Sequence, residues 1–142
     1  MAGDFVLDPT LLEHGSVLGR TAHCHVLLAH DAAIAWFMLV PETPEVELCD
    51  LPPALHAALF TDAHRLARAV RERFEADKLN VAAIGNVVRQ LHLHVIGRQR
   101  DDAYWPGVPW GRAPTQTRSP ADIAALRTWV GAVFGADFIP AG

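Results

Sequence analysis

From Gln90 to Ile96 polar and apolar residues alternate, setting Gln90, His92 and His94 on one side and Leu91, Leu93 and Val95 on the other. That period of two predicts a β-strand with one face on a core. Upstream, His23–Ala29 and Ala33–Val40 are strand-like runs separated by His30-Asp31-Ala32, which predicts a β-hairpin. The second run, Ile34-Ala35-Trp36-Phe37-Met38-Leu39-Val40, is apolar on both faces and belongs at the centre of a sheet. Leu79–Ile84 is a further apolar strand, which Gly85-Asn86 bends into the histidine strand, and Ser16–Arg20 reads as a short edge strand.

Helical spacing marks three segments. Asp8-Pro9 opens one short turn that ends at Gly15, with His14 a favourable cation at its C-terminal end. Leu55, Leu59, Leu66, Val70 and Phe74 form one stripe of a long helix from about Pro53 to Lys78, with His56 and His64 at its margin. Ser119-Pro120-Ala121-Asp122 starts a last helix, buried through Ile123, Leu126, Trp129, Val130 and Val133 and ended by Gly135. Before it, the prolines and glycines of residues 101–111 forbid regular structure, yet Tyr104, Trp105 and Trp110 favour burial. That loop covers a site or a subunit partner, or packs on its own core. These elements predict a single α+β domain over residues 1–142: a mainly antiparallel sheet of about five strands, one long central helix and a C-terminal helix.

Composition narrows the function classes. With 51% hydrophobic and 20% charged residues, the 142-residue chain is long enough for one sizeable core. Cys24 and Cys49 make neither a disulfide framework nor a Cys-x-x-Cys pair, which suits a reducing cytoplasm. The start of the chain lacks a basic segment followed by an apolar one, and no apolar run approaches the ~20 residues of a membrane span. Neither secretion nor membrane insertion is expected. The net charge of −4 argues against a nucleic-acid polymer as partner, but residues 89–118 carry +3 and the remainder −7. A local anion site built from Arg89, Arg98, Arg100, Arg112 and Arg118 is one reading of that asymmetry, and scattered solvated arginines are the other.

His92 and His94 are the candidate chemistry, since imidazole is a nucleophile, a proton carrier and a metal ligand. His23 and His25 repeat the spacing. Four histidines on neighbouring strands would make a metal site, but no carboxylate or cysteine at ligand spacing reinforces it. Exposed strand-face histidines are the alternative.

The stretch Gly85-Asn86-Val87-Val88-Arg89-Gln90-Leu91-His92-Leu93-His94-Val95-Ile96-Gly97-Arg98 resembles the signature of the histidine-triad (HIT) superfamily, His-φ-His-φ-His-φ-φ with φ apolar. It keeps the second and third histidines and departs at Gln90 for the first and at Asn86 for a usual Gln. Leu27-Leu28-Ala29-His30-Asp31 with Phe37-Met38-Leu39-Val40-Pro41 is similar to the family's hairpin. The resemblance implies a HIT-like fold, a homodimer, and a nucleotidyl hydrolase or transferase acting on a dinucleoside polyphosphate or nucleoside phosphoramidate. By position it implies His92 as nucleophile, His94 at the phosphate and leaving group, and Gln90 as an orienting residue. Asn86, Asn80 and Gly85 fall near the phosphate and Asp31 at the ribose. No metal or cofactor is implied. A nucleotide-binding or regulatory module without turnover is the competing class.

Overall fold

The structure, a computed structural model, describes residues 4–142. The first three residues, part of the N-terminal reading above, lie outside it. The elements in order are α1 (Pro9–His14), β1 (Gly15–Arg20), β2 (Cys24–Ala29), β3 (Ala35–Pro41), α2 (Pro53–Arg73), β4 (Lys78–Ala82), β5 (Leu93–Arg98), α3 (Pro120–Phe134) and β6 (Ile139–Pro140). They form one antiparallel sheet in the order β4-β5-β3-β2-β1-β6. The expected α+β class holds, with six strands rather than five. The sixth is two residues long and exists through its pairing with Gly19 and Arg20, so no alternation announces it.

Both long helices lie on one face of the sheet. Leu59, Leu66 and Val70 of α2 and Leu126, Val130 and Phe134 of α3 join Leu93 and Val95 of β5 and Phe37 and Leu39 of β3 in one core. Close approach of α2 to β5 requires Gly97, since a Cβ there would sit 2.8 Å from Val70 Cγ1. Ser119 Oγ accepts from the Asp122 amide at 3.1 Å, the cap that the sequence predicts for α3. The other sheet face carries Leu27, Met38 and Val40, with Leu11 of α1 and Val88 of the segment before β5 packed on it.

Several boundaries move. α2 stops at Arg73 rather than Lys78, because Phe74 turns onto Phe37 and Trp129 and Glu75 takes a left-handed φ of 52°. Lys78 is then free to start β4, which ends at Ala82 rather than Ile84. β5 begins at Leu93 rather than Gln90, because pairing with β4 starts at Ala82 opposite His94 and pairing with β3 at Leu39 opposite Leu93. Among the described residues no helix is long and apolar enough to cross a membrane.

Candidate active site

His92 stands just before β5 and His94 within it, on the face away from α2, with ring centroids 4.8 Å apart and planes at 68°. Their neighbours fix which nitrogen carries each proton. His92 Nδ1 lies 2.7 Å from the main-chain oxygen of Gln90, which can only accept, so Nδ1 carries the proton of the neutral ring and Nε2 its lone pair. His94 Nδ1 lies 2.9 Å from the indole Nε1–H of Trp36, which can only donate, so the neutral ring carries its proton on Nε2. Burial, and then the neighbouring His92, lower the His94 pKa to about 3, so that ring is neutral near pH 7. Two adjacent imidazoles thus present opposite functions, a lone pair on one Nε2 and an N–H on the other.

Both rings line a cleft of about 570 Å³. Its walls are largely apolar, from Leu11 of α1, Trp36 and Met38 of β3, Ile84, Val87 and Val88 before β5, and Pro109 and Trp110 of the loop. Gly85 and Asn86 are also there, Gly85 with a φ of 67° that favours glycine. Asp31 lines the cleft although it is buried: Oδ1 accepts from the Ala33 amide at 2.9 Å and Oδ2 from the Tyr104 hydroxyl. Donation to that carboxylate, together with burial, raises the Tyr104 pKa. Arg118 holds the same turn, donating to the main-chain oxygens of Ala29, Asp31 and Ile34 at 3.2, 3.2 and 2.7 Å.

Two expected site residues serve elsewhere. Asn80 lies on β4 opposite Ile96, outside the cleft lining, and its Oδ1 accepts from Arg98 Nη1 at 2.9 Å. The Gln90 side chain faces residues 6–8 at the N-terminal end, so any orientation of His92 comes from its main-chain oxygen. The four-histidine arrangement does not form, because β3 lies between β2 and β5 and His25 Nε2 is 2.8 Å from Glu42. The arginine excess does not converge either. Arg98 is buried against Asp102 and Arg118 is spent on carbonyls, leaving Arg112 as the one arginine or lysine among the described residues of the lining.

Trp36 is the residue that sequence reasoning missed here, whereas Trp110 belongs to the loop expected to cover a site or a partner or to pack on its own core. Trp36 reads as one apolar position in a strand that is apolar on both faces, and only the register beside His94 reveals its N–H as a partner. Trp110 packs edge-on to His94, centroids 5.2 Å apart, and to Trp36 at 6.2 Å.

Residues 13–101 match the family model of the HIT domain, well over half of the chain. The chain belongs to the HIT family. It is similar to histidine triad proteins of Bradyrhizobium japonicum, 34% identical over 92% of this chain and 98% of that one with a TM-score of 0.86, and of Marinobacter aquaeolei, 34% identical over 92% and 96% with a TM-score of 0.86. A third, from Sinorhizobium meliloti, is 31% identical over 94% and 97% with a TM-score of 0.84. No curated protein matches the chain. HIT membership supports, in general terms, a role in nucleotide binding or in nucleotide hydrolysis or transfer. The matched segment of this HIT protein contains both histidines and Asp31, whereas Leu11 and the wall from Pro109 to Thr117 lie beyond it.

Proposed function

We propose that this HIT protein is a nucleotidyl hydrolase or transferase that forms a nucleotidyl-histidine on His92. The observation that carries the reading is the pair of fixed tautomers. His92 Nε2 attacks the α-phosphorus in line with the leaving group, and the N–P bond forms as the bond to the leaving group breaks. The leaving group departs with the electron pair and takes a proton from water. The ring becomes cationic, which strengthens its Nδ1–H bond to the Gln90 oxygen. Water then attacks phosphorus, the electron pair returns to Nε2, and the water proton goes to solvent.

His94 acts as a hydrogen-bond donor to a phosphoryl oxygen. It is not an imidazolium near pH 7, and losing Nε2–H would leave an imidazolate, so it holds its proton throughout. Asn86 and the main chain near Gly85 supply further donors. Asp31, with unused lone pairs on both oxygens, takes the ribose hydroxyls. Trp36→Phe removes the donor that fixes the His94 tautomer; turnover is expected to fall about tenfold, on the scale of other partners that orient a functional histidine. Ring ¹⁵N shifts of His94 check the cause, and a ring still protonated only at Nε2 would contradict it.

Charge favours a phosphoramidate over a dinucleoside polyphosphate. Glu13 and Asp31 share a mostly apolar lining with Arg112, which suits one phosphoryl charge and an apolar leaving group better than a chain of phosphates. An adenosine 5′-phosphoramidate of an aromatic amine is expected to show kcat/KM at least about tenfold above that of diadenosine tetraphosphate. The reverse order in a steady-state comparison would overturn the preference.

A further inference from the structure

Gln90 occupies the position that the resemblance assigns to the first histidine of the signature, yet both ends of its amide are engaged away from the reacting rings. Oε1 accepts from the Asp8 amide at 2.8 Å and Nε2 donates to the Val6 oxygen at 2.9 Å. These two groups flank Leu7, so the side chain pairs with this segment as a neighbouring parallel strand would. Nothing else of its size makes both bonds: a carboxylate has no donor, and the two nitrogens of an imidazole diverge.

The segment held in this way leads into the site. Phe5 stacks on His25 at 5.3 Å, and Leu7 packs on the cluster of Leu11, Met38 and Val88. Asp8 is the N-cap of α1, accepting from the Thr10 amide at 2.8 Å. Leu11, Glu13 and His14 of α1 then form one wall of the cleft. Gln90 also orients the nucleophile, its main-chain oxygen accepting from His92 Nδ1 at 2.7 Å. A single residue therefore joins the α1 wall to the reacting ring.

We propose that Gln90 is a positioning residue whose amide fastens residues 6–8, and through them the α1 wall, against the nucleophile. The inference rests on the nucleotide reading above. The position of the signature's first histidine then serves substrate binding, as a clamp.

AMP titrated calorimetrically into wild type, Gln90→Glu and Gln90→His tests this. Both variants are expected to bind AMP about tenfold more weakly, with KM raised in proportion and kcat within about threefold of wild type, since the main-chain oxygen remains. Amide exchange at Asp8 is expected to accelerate in both. Gln90→Asn, which keeps the amide but shortens its reach, is expected to show the same changes and serves if a larger replacement perturbs folding. Faster Asp8 exchange with unchanged AMP affinity would reduce Gln90 to a structural tie and overturn the proposal. A raised kcat in Gln90→His would overturn it too, by marking the position as catalytic. Failure of the wild-type protein to bind AMP would remove the nucleotide reading itself, and this inference with it.

Discussion

Replacing His92 with alanine is expected to lower turnover of a nucleoside phosphoramidate by a factor on the order of 10⁴ while leaving the fold in place. The loss is large because no other group repeats its chemistry. The neighbouring His94 has its Nδ1 lone pair engaged by Trp36 and its remaining nitrogen protonated, so it cannot take over as nucleophile. The fold should survive because His92 precedes the β5 ladder and its neighbours Leu91 and Leu93 hold the strand to the core. Far-ultraviolet dichroism and steady-state kinetics on the variant check both halves. Residual activity within about tenfold of wild type would be incompatible with a covalent role for this ring.

Arg98→Met is expected to cost on the order of 3 kcal/mol of stability and to loosen the wall that carries Trp110. The guanidinium is buried to 2% exposure and donates to Asp102 Oδ2 and Oδ1 at 2.8 and 3.0 Å, to Asn80 Oδ1 at 2.9 Å and to the Gly107 oxygen at 2.9 Å. Methionine would fill the space of the stem and leave the Asp102 carboxylate without its cation. That carboxylate also accepts from the Gln99, Tyr104 and Trp105 amides, so it organises the first turn of the loop. Burial alone would raise its pKa, but donation from Arg98 and from the Tyr104 and Gln99 amides, with the Arg98 charge, brings it down to about 2.

The sign of the pH dependence follows. The Asp102 contribution is complete above the ordinary carboxyl value of 3.8 and is lost as pH falls through about 2. His94 acts at higher pH in the same direction: the unfolded ring takes a proton at 6.5 that the folded ring refuses until about 3, so stability declines as pH drops through that window. Urea unfolding is expected to show the full Arg98→Met deficit at pH 7 and a smaller one at pH 3.5, on top of the decline that both proteins share through His94. A variant as stable as wild type would mean that the loop is held by its backbone contacts alone.

Residues that act through local pattern were legible in the sequence, and residues that act through distant partners were not. The alternation around His92 and His94, the turn at Asp31 and the Ser119 cap each depend on near neighbours, and the structure places both histidines and Asp31 on one cleft. The resemblance puts Asn80 near the phosphate, whereas its register carries it to Arg98, which pairing across β4 and β5 decides. The resemblance implies an orienting side chain at Gln90, and nothing local reveals its partners 82 and 84 residues away. Tyr104 was legible as an aromatic favouring burial, but its bond to Asp31 spans 73 residues and depends on how the loop folds back.

The central claim is a covalent bond between His92 and the nucleotide. Incubation with a phosphoramidate labelled in its nucleotide portion, an alkaline quench that preserves phosphorus–nitrogen bonds, and peptide mapping measure it most directly. The account predicts label on His92, absent from the His92→Ala protein and released as free nucleotide when the reaction proceeds. Turnover without label on His92, or label on His94 instead, would contradict it.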